Sequence, residues 1–344
     1  MKRIGKRRGC GWIPAMLLLI AVCASALTAR AAAPINRAVE PIDYSEGGSL
    51  VLTYQYEGHA IEGVTFRLYH VATMNTDGQY ILTPEFADSH VDLDIEDEAE
   101  LIACTAALDG YVLQMQAEQK TIEPEEIGQT DAQGKVVFDD LEMGIYLVTG
   151  DTLRIRDRMY IPMETLVFLP DLTDSGEWDY DLEAQVKSEA RTIDEGDGTI
   201  SLKAIKIWKD SGYESARPSE VTVELFGDGV SYGKVTLNKS NNWQYQWDEL
   251  DETVYWQLTE VNVPSGYTVT VEPNDLTFVV TNTYHPKDNP KDPGKPGGTP
   301  KSNPLNPVKL PQTGQLWWPV PILLILGAAM ILAGLVIKRR RSDG

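Results

Sequence analysis

Cysteine is nearly absent from this chain, which carries three in 344 residues, at Cys10, Cys23 and Cys104. The first two fall in an N-terminal leader, so Cys104 alone remains in the exported part and no internal disulfide can form there. A chain of this size outside the cell then needs another source of toughness. Cys104 itself reads as a reactive or dimer-forming thiol or as a buried inert one, and Ala103, Ala106 and Ala107 beside it on a helical stretch favour burial. Histidine is also sparse. His59, His70, His90 and His285 are scattered and supply no zinc spacing. There is no nucleophile elbow and no phosphate-binding glycine loop, and the many Asp residues lack the EF-hand pattern. Nothing therefore marks an enzyme, and no cofactor or metal is implied. Basic charge is short as well, with 30 Lys and Arg against 51 Asp and Glu. Residues 1–31 hold six of the basic groups, and the last residues hold four with one acid. Without both ends, 20 basic and 50 acidic side chains remain, a formal charge near -30 for residues 32–337. Such a surface repels nucleic acid and anionic lipid.

The two ends carry address labels. Lys2, Arg3, Lys6, Arg7 and Arg8 precede an apolar run from Trp12 to Leu27, followed by small residues around Ala29-Arg30-Ala31-Ala32-Ala33. This is the pattern of a secretory signal peptide, residues 1–33, cleaved after Ala31 or Ala33; an uncleaved membrane anchor is the alternative. At the other end, Trp317 to Ile337 is 21 residues without charge, followed by Lys338-Arg339-Arg340-Arg341. A helix of that length spans the roughly 30 Å hydrocarbon core, and the basic cluster stays on the cytoplasmic side.

Between the ends, hydrophobic periodicity predicts an all-β protein. Strands are expected at Ser49 to Tyr56 and Val64 to Val71, with a turn at Glu57-Gly58-His59. Glu96 to Lys120 lacks proline and is rich in Ala, Leu, Glu and Gln, which predicts one helix or two, interrupted near Asp109-Gly110. Strands resume at Lys135 to Phe138, Gly144 to Thr149, Met159 to Leu169 and Tyr180 to Val186. Residues 45–188 thus form one β domain with a helical insertion around 96–126, which either carries binding or covers one face of a sheet. A hydrophilic joint, Ser188 to Gly198, leads to residues 199–284, whose seven short alternating segments predict a second, helix-free β-sandwich. His285 to Lys309 holds seven prolines and cannot build a core; it reads as a stiff soluble spacer.

Leu310-Pro311-Gln312-Thr313-Gly314, an apolar span and a basic tail, in that order, resemble the LPxTG sorting signal of Gram-positive surface proteins. The resemblance covers 310–344. It implies that a membrane sortase cleaves between Thr313 and Gly314 and joins the Thr313 carboxyl to an amino group of a peptidoglycan precursor or of another pilin subunit. The protein would be inserted in the membrane before sorting and anchored in the cell wall afterwards.

In the second sandwich, Lys206 lies in Leu202-x-Ala204-x-Lys206-x-Trp208, Glu260 in Trp256-x-Leu258-x-Glu260 and Asn282 in Phe278-x-Val280-x-Asn282. Strand alternation puts each polar group on an apolar face, where the three could meet in the core. A buried charge is costly unless paired or neutralised. Lys206-Ile207-Trp208-Lys209-Asp210, Arg217-Pro218-Ser219-x-Val221, Leu258-Thr259-Glu260-Val261, Pro264-Ser265-Gly266-Tyr267 and Val280-Thr281-Asn282-Thr283-Tyr284 resemble the collagen-adhesin B-type repeat, a prealbumin-like sandwich of adhesins and pilins. The resemblance implies an isopeptide bond between Lys206 and Asn282, with Glu260 as the assisting acid.

Residues 45–188 resemble the N-terminal domain of pilins in Val64-Thr65-Phe66-x-Leu68-Tyr69, in Gly134-Lys135-Val136-x-Phe138 and its continuation to Val148, and in Trp178 to Lys187. The first strand has no lysine, so no equivalent bond is expected there. Lys187 matches the position of a pilin polymerisation lysine, but Gln185-Val186 replaces the family's Tyr-Pro pair. Two readings follow. One is a wall-anchored adhesin-like protein or accessory pilin, whose host or surface ligand the sequence does not name; the other is a shaft pilin polymerised through Lys187.

Overall fold

The computed structural model describes residues 42–286 apart from 44–46, 77, 174–175 and 194–197. The signal peptide, the proline-rich spacer and the sorting signal with its apolar span lie outside these residues. Among the described residues no helix is long and apolar enough to cross a membrane.

The N-terminal half opens with β1 (Gly48–Tyr56), β2 (His59–Ala60), β3 (Thr65–Met74) and β4 (Tyr80–Leu82). After α1 (Glu98–Ala117) come β5 (Glu126–Gln129), β6 (Lys135–Leu141), β7 (Gly144–Gly150), β8 (Leu153–Ile155), β9 (Arg158–Pro162) and β10 (Thr165–Leu169). β11 (Asp171–Leu172), β12 (Trp178–Asp179), β13 (Asp181–Val186) and β14 (Ser188–Thr192) complete it. β1 runs parallel to β13 and antiparallel to β6. Facing it is the sheet β10-β7-β3-β4, to which β5 adds beside β3. Leu50, Leu52 and Tyr54 of β1 alternate inward against Phe66 and Leu68 of β3 and Tyr146 and Val148 of β7. Period-two alternation therefore builds a sandwich here, as the sequence predicts. The turn after β1 also falls where expected, with Glu57 and Gly58 both at positive φ.

β7 is buried on both faces. Tyr146 and Val148 enter the sandwich core, whereas Ile145 and Leu147 face the opposite way, into a second core that includes Leu101, Cys104 and Leu108 of α1. That second core continues into the C-terminal half.

The C-terminal half comprises β15 (Thr199–Lys209), β16 (Glu220–Gly227), β17 (Val230–Asn238), β18 (Gln244–Asp251), β19 (Trp256–Val261), β20 (Tyr267–Asn274) and β21 (Thr277–Tyr284). These form two sheets, β18-β15-β21-β20 and β17-β16-β19. The first and last strands of this half, β15 and β21, lie side by side in parallel, with Lys206 opposite Val280 and Trp208 opposite Asn282. Leu202, Ala204, Val223, Leu225, Leu258 and Val280 fill the space between the sheets.

The structure corrects three expectations. The helix is single and runs unbroken through Asp109 and Gly110. Its start is set by Asp97, whose carboxylate accepts from the Glu100 amide at 2.8 Å. Its buried residues include Leu101, Cys104, Thr105, Leu108, Asp109 and Val112. These positions run round the cylinder because strands cover it on more than one side, which is the pattern of an interior helix. α1 rests on β7 and β10 of the N-terminal half and on β19 and β20 of the C-terminal half. Second, Met159 to Leu169 is two strands, broken at Met163 and Glu164. Third, Ser188 to Thr192 of the expected joint is strand β14, paired with β9.

Candidate functional site: a lysine, a glutamate and an asparagine inside the C-terminal sandwich

β15, β19 and β21 each deliver one polar side chain to the space between the two sheets. Lys206, Glu260 and Asn282 are 5%, 3% and 0% exposed, and all three point inward because each keeps the parity of its apolar strand neighbours. Glu260 stands between the other two. Its Oε2 lies 3.6 Å from Lys206 Nζ, and its Oε1 accepts from Asn282 Nδ2 at 2.8 Å. The ammonium also donates to the carbonyl oxygens of Ile207 at 2.9 Å and Val280 at 3.3 Å, and sits 4.3 Å from the centroid of the Trp208 ring. Glu260 Oε2 and Asn282 Oδ1 are buried without a hydrogen bond. A half-turn of the amide exchanges its oxygen and nitrogen at constant shape, which would offer Oδ1 to a protonated Glu260.

Burial moves both titrating groups toward their neutral forms. It lowers Lys206 to about 8, against the opposing charge of Glu260. It raises Glu260, and the charge of Lys206 and the hydrogen bond from Asn282 only partly offset this. Burial thus brings the site nearer to an amine with a free lone pair beside a carboxylic acid and a carboxamide, the combination that amide exchange requires.

The three residues singled out by strand alternation lie together here. The sequence assigned no role to the layer around them. Arg217 donates to both carboxylate oxygens of Asp210, at 2.9 and 2.6 Å, and holds that carboxyl below its usual range. The Tyr267 hydroxyl donates to the same carboxylate at 3.2 Å, and Trp208 stacks edge-on against Tyr267 and Trp243. Asp210 and Arg217 stand in quoted motifs, but only the turn between β15 and β16 makes them meet.

Lys187 lies elsewhere, between β13 and β14, with a half-exposed side chain paired to Glu98 at 3.0 Å. Cys104 is buried in α1, and burial pushes its thiol up to about 12, so it is inert as a nucleophile. Leu310, Pro311, Gln312, Thr313 and Gly314 lie outside the described residues.

Two sheets closed by parallel first and last strands, with a lysine, an acid and an asparagine between them, define a β-sandwich module of a recurring kind. The profile of the Cna protein B-type domain matches residues 202–283. Among curated proteins, a collagen adhesin of Staphylococcus aureus is 37% identical to this chain over an alignment covering 39% of the chain and 15% of that protein. The chain therefore matches only about a seventh of that relative's length. Among solved structures, a single B repeat unit of the collagen binding surface protein of Staphylococcus aureus is 20% identical, covering 69% of this chain and 97% of that one, with a TM-score of 0.25. The full-length major pilin of Corynebacterium diphtheriae is 17% identical over 74% and 71% of the two chains, TM-score 0.29. The minor pilin of Streptococcus agalactiae is 17% identical over 71% and 98%, TM-score 0.25. These scores are low, and the fold assignment rests on the sheet order and cores described above.

Proposed function

We propose that this chain is a non-enzymatic, sortase-anchored protein of the Gram-positive cell surface, an adhesin-like or accessory pilin subunit, whose C-terminal sandwich is locked by an isopeptide bond between Lys206 and Asn282. The observation that carries the bond is the bridging carboxyl: one oxygen of Glu260 approaches Lys206 and the other Asn282, with all three side chains buried. In the step, the neutral Lys206 amine attacks Cγ of Asn282, and Glu260 donates a proton toward the amide as charge develops. The new Nζ–Cγ bond forms, the Cγ–Nδ2 bond breaks, and the proton lost by Nζ leaves with Nδ2 as ammonia. Glu260 ends as it began. The anchoring half of the proposal is supported by Leu310 to Gly314 with the apolar span and basic tail behind it, and the collagen adhesin relative and the B-type match fit a surface role.

The test of the bond is intact mass under denaturing conditions. The native protein should weigh one ammonia less than its sequence, and Glu260→Ala should restore the full mass. An unshifted mass in the native protein would end this reading. Anchoring is tested by incubation with the cell's own sortases, where Thr313→Ala should abolish attachment. The shaft-pilin alternative predicts a ladder of covalent multimers that Lys187→Ala removes. The half-exposed Lys187 side chain keeps that alternative open to chemistry.

A further inference from the structure

Glu260 sits on β19, the outermost strand of its sheet, and Asn282 on β21, one strand in from the edge strand β20. β19 and β20 lie on the same side of the sandwich, so this side would open the core to water unless something covered it. The N-terminal half covers it. α1 packs along both edge strands, and Leu101, Cys104 and Leu108 share one core with Leu258, Val269 and Val271. The carbonyl of His90, in the segment leading to α1, accepts from the Val269 amide at 2.9 Å, and Val269 is the register partner of Asn282.

β19 and the turn before it are also gripped residue by residue. Arg154 donates to Asp228 at 2.8 Å and to the Thr253 carbonyl at 2.9 Å. The Tyr255 hydroxyl donates to Glu164 at 2.7 Å. Gln257 donates to Asp109 of α1 and, at 3.3 Å, to Glu164. Gly110 then closes the approach: a Cβ there would lie 2.9 Å from Thr259 Cβ and 3.1 Å from the Leu258 carbonyl oxygen. Glycine in a helix interior costs about 1 kcal/mol relative to alanine. Its presence in the middle of α1 fits a helix shaped to meet this strand, one residue before Glu260.

We propose that the N-terminal half is a positioning element for the isopeptide step, with α1 and the His90 segment sealing the β19–β20 side and fixing Glu260 between Lys206 and Asn282, so that the bond closes slowly or incompletely when the two halves are undocked. This rests on the reading of the trio as bond-forming. The chemical reason is solvation. Water admitted at Glu260 favours the ammonium and carboxylate pair over the neutral amine and acid, and only the neutral pair reacts. Docking therefore acts on how often the reactive form occurs, beyond any effect on folding.

The experiment uses residues 42–286 in one chain, taken unfolded before the bond has closed, and follows ammonia loss by intact mass on first folding, across pH. Two undocked forms are compared with the parent: Gly110→Leu, which puts bulk against β19, and Arg154→Ala with Gln257→Ala, which removes cross-interface hydrogen bonds without bulk. Amide exchange in β15, β16 and β21 reports that the sandwich is folded. Should Gly110→Leu unfold it, the double variant decides. The expected result is slower ammonia loss in a folded sandwich, about tenfold for each pKa unit that Lys206 regains. The alkaline limb of the pH profile should also move upward from near 8, which a purely structural role would not produce. Bond formation at the parental rate, or slowed with an unmoved profile, would overturn the proposal. A parent chain that never loses ammonia would instead overturn the reading of the trio.

Discussion

At Lys206 two influences act on one nitrogen in opposite directions. Burial favours the neutral amine, the neighbouring carboxylate favours the ammonium, and burial is the larger, bringing the group to about 8. Lys206 and Glu260 exchange protons as a pair, so the neutral pair and the ion pair bind the same number of protons and interconvert without regard to pH. The reacting state is therefore available only between the two titrations of the pair. Below the lower one both groups are protonated and the amine has no lone pair. Above about 8 the last proton leaves and Glu260 has none to donate. Bond formation in the newly folding protein should follow a bell-shaped pH profile with its alkaline limb near 8, measured by intact mass over time. A rate that keeps climbing toward pH 10 would argue that Glu260 takes no part as an acid.

At the scale of elements, α1 is where sequence and structure diverge most. The alternation of β1, β15, β20 and β21 was legible because each keeps one parity toward a core, whereas β7, buried on both faces, was legible only as an apolar run. The inward placement of Lys206, Glu260 and Asn282 followed from the same parity. The helix was legible as a helix, but Gly110 read as a break because the partner that explains it, β19, is nearly 150 residues away in sequence. The Asp210–Arg217 pair was hidden for a similar reason, since only a tertiary turn joins them.

The buried acids at this junction carry a consequence of their own. Asp109 and Glu164 converge on Gln257 beside a cavity of about 480 Å³, and among the described residues neither is ion-paired. The other charged groups that share the cavity are Glu98, Lys187, Glu189, Arg191 and Asp275; Lys187 is paired with Glu98 and Arg191 with Glu189, while Tyr69 and Tyr255 also face the two acids. Burial raises both carboxyls, most strongly Asp109, with the repulsion of Glu164 adding to it. A raised folded-state pKa means the folded form holds its proton more tightly than the unfolded one. The associated stability is full below the ordinary carboxylate range and is lost as pH rises through the raised values. Docking of α1 should therefore weaken as pH rises above the ordinary carboxylate range, read as lower amide protection in α1 and β19 after correction for the intrinsic rise of exchange with pH. Asp109→Asn should flatten that dependence. An unchanged slope in this variant would place the effect elsewhere.

For the whole molecule, the consequence lies in how it bears load. A chain held at its C-terminal side and pulled from its N-terminal side transmits force through β15 and β21, the first and last strands of the C-terminal sandwich, which lie parallel and adjacent. Hydrogen bonds between them must fail for the sandwich to extend. The proposed bond from Lys206 to Asn282 would span those two strands, so tension would pass through it and leave the segment between them slack. By loop-closure entropy the same cross-link would stabilise the fold by about 4.5 kcal/mol. The N-terminal half has no lysine in β1 to make an equivalent link, so on this proposal it should be the part that yields. Stretching single molecules between residues 42 and 286 should then lengthen the parent chain only by the N-terminal half and the short ends outside the cross-link. In Glu260→Ala, where the bond cannot form, the stretch from 206 to 282 should also pay out, adding about 250 Å at full extension. Equal final lengths for the two proteins would show that force does not run through a Lys206–Asn282 bond, even if the mass measurement had found one.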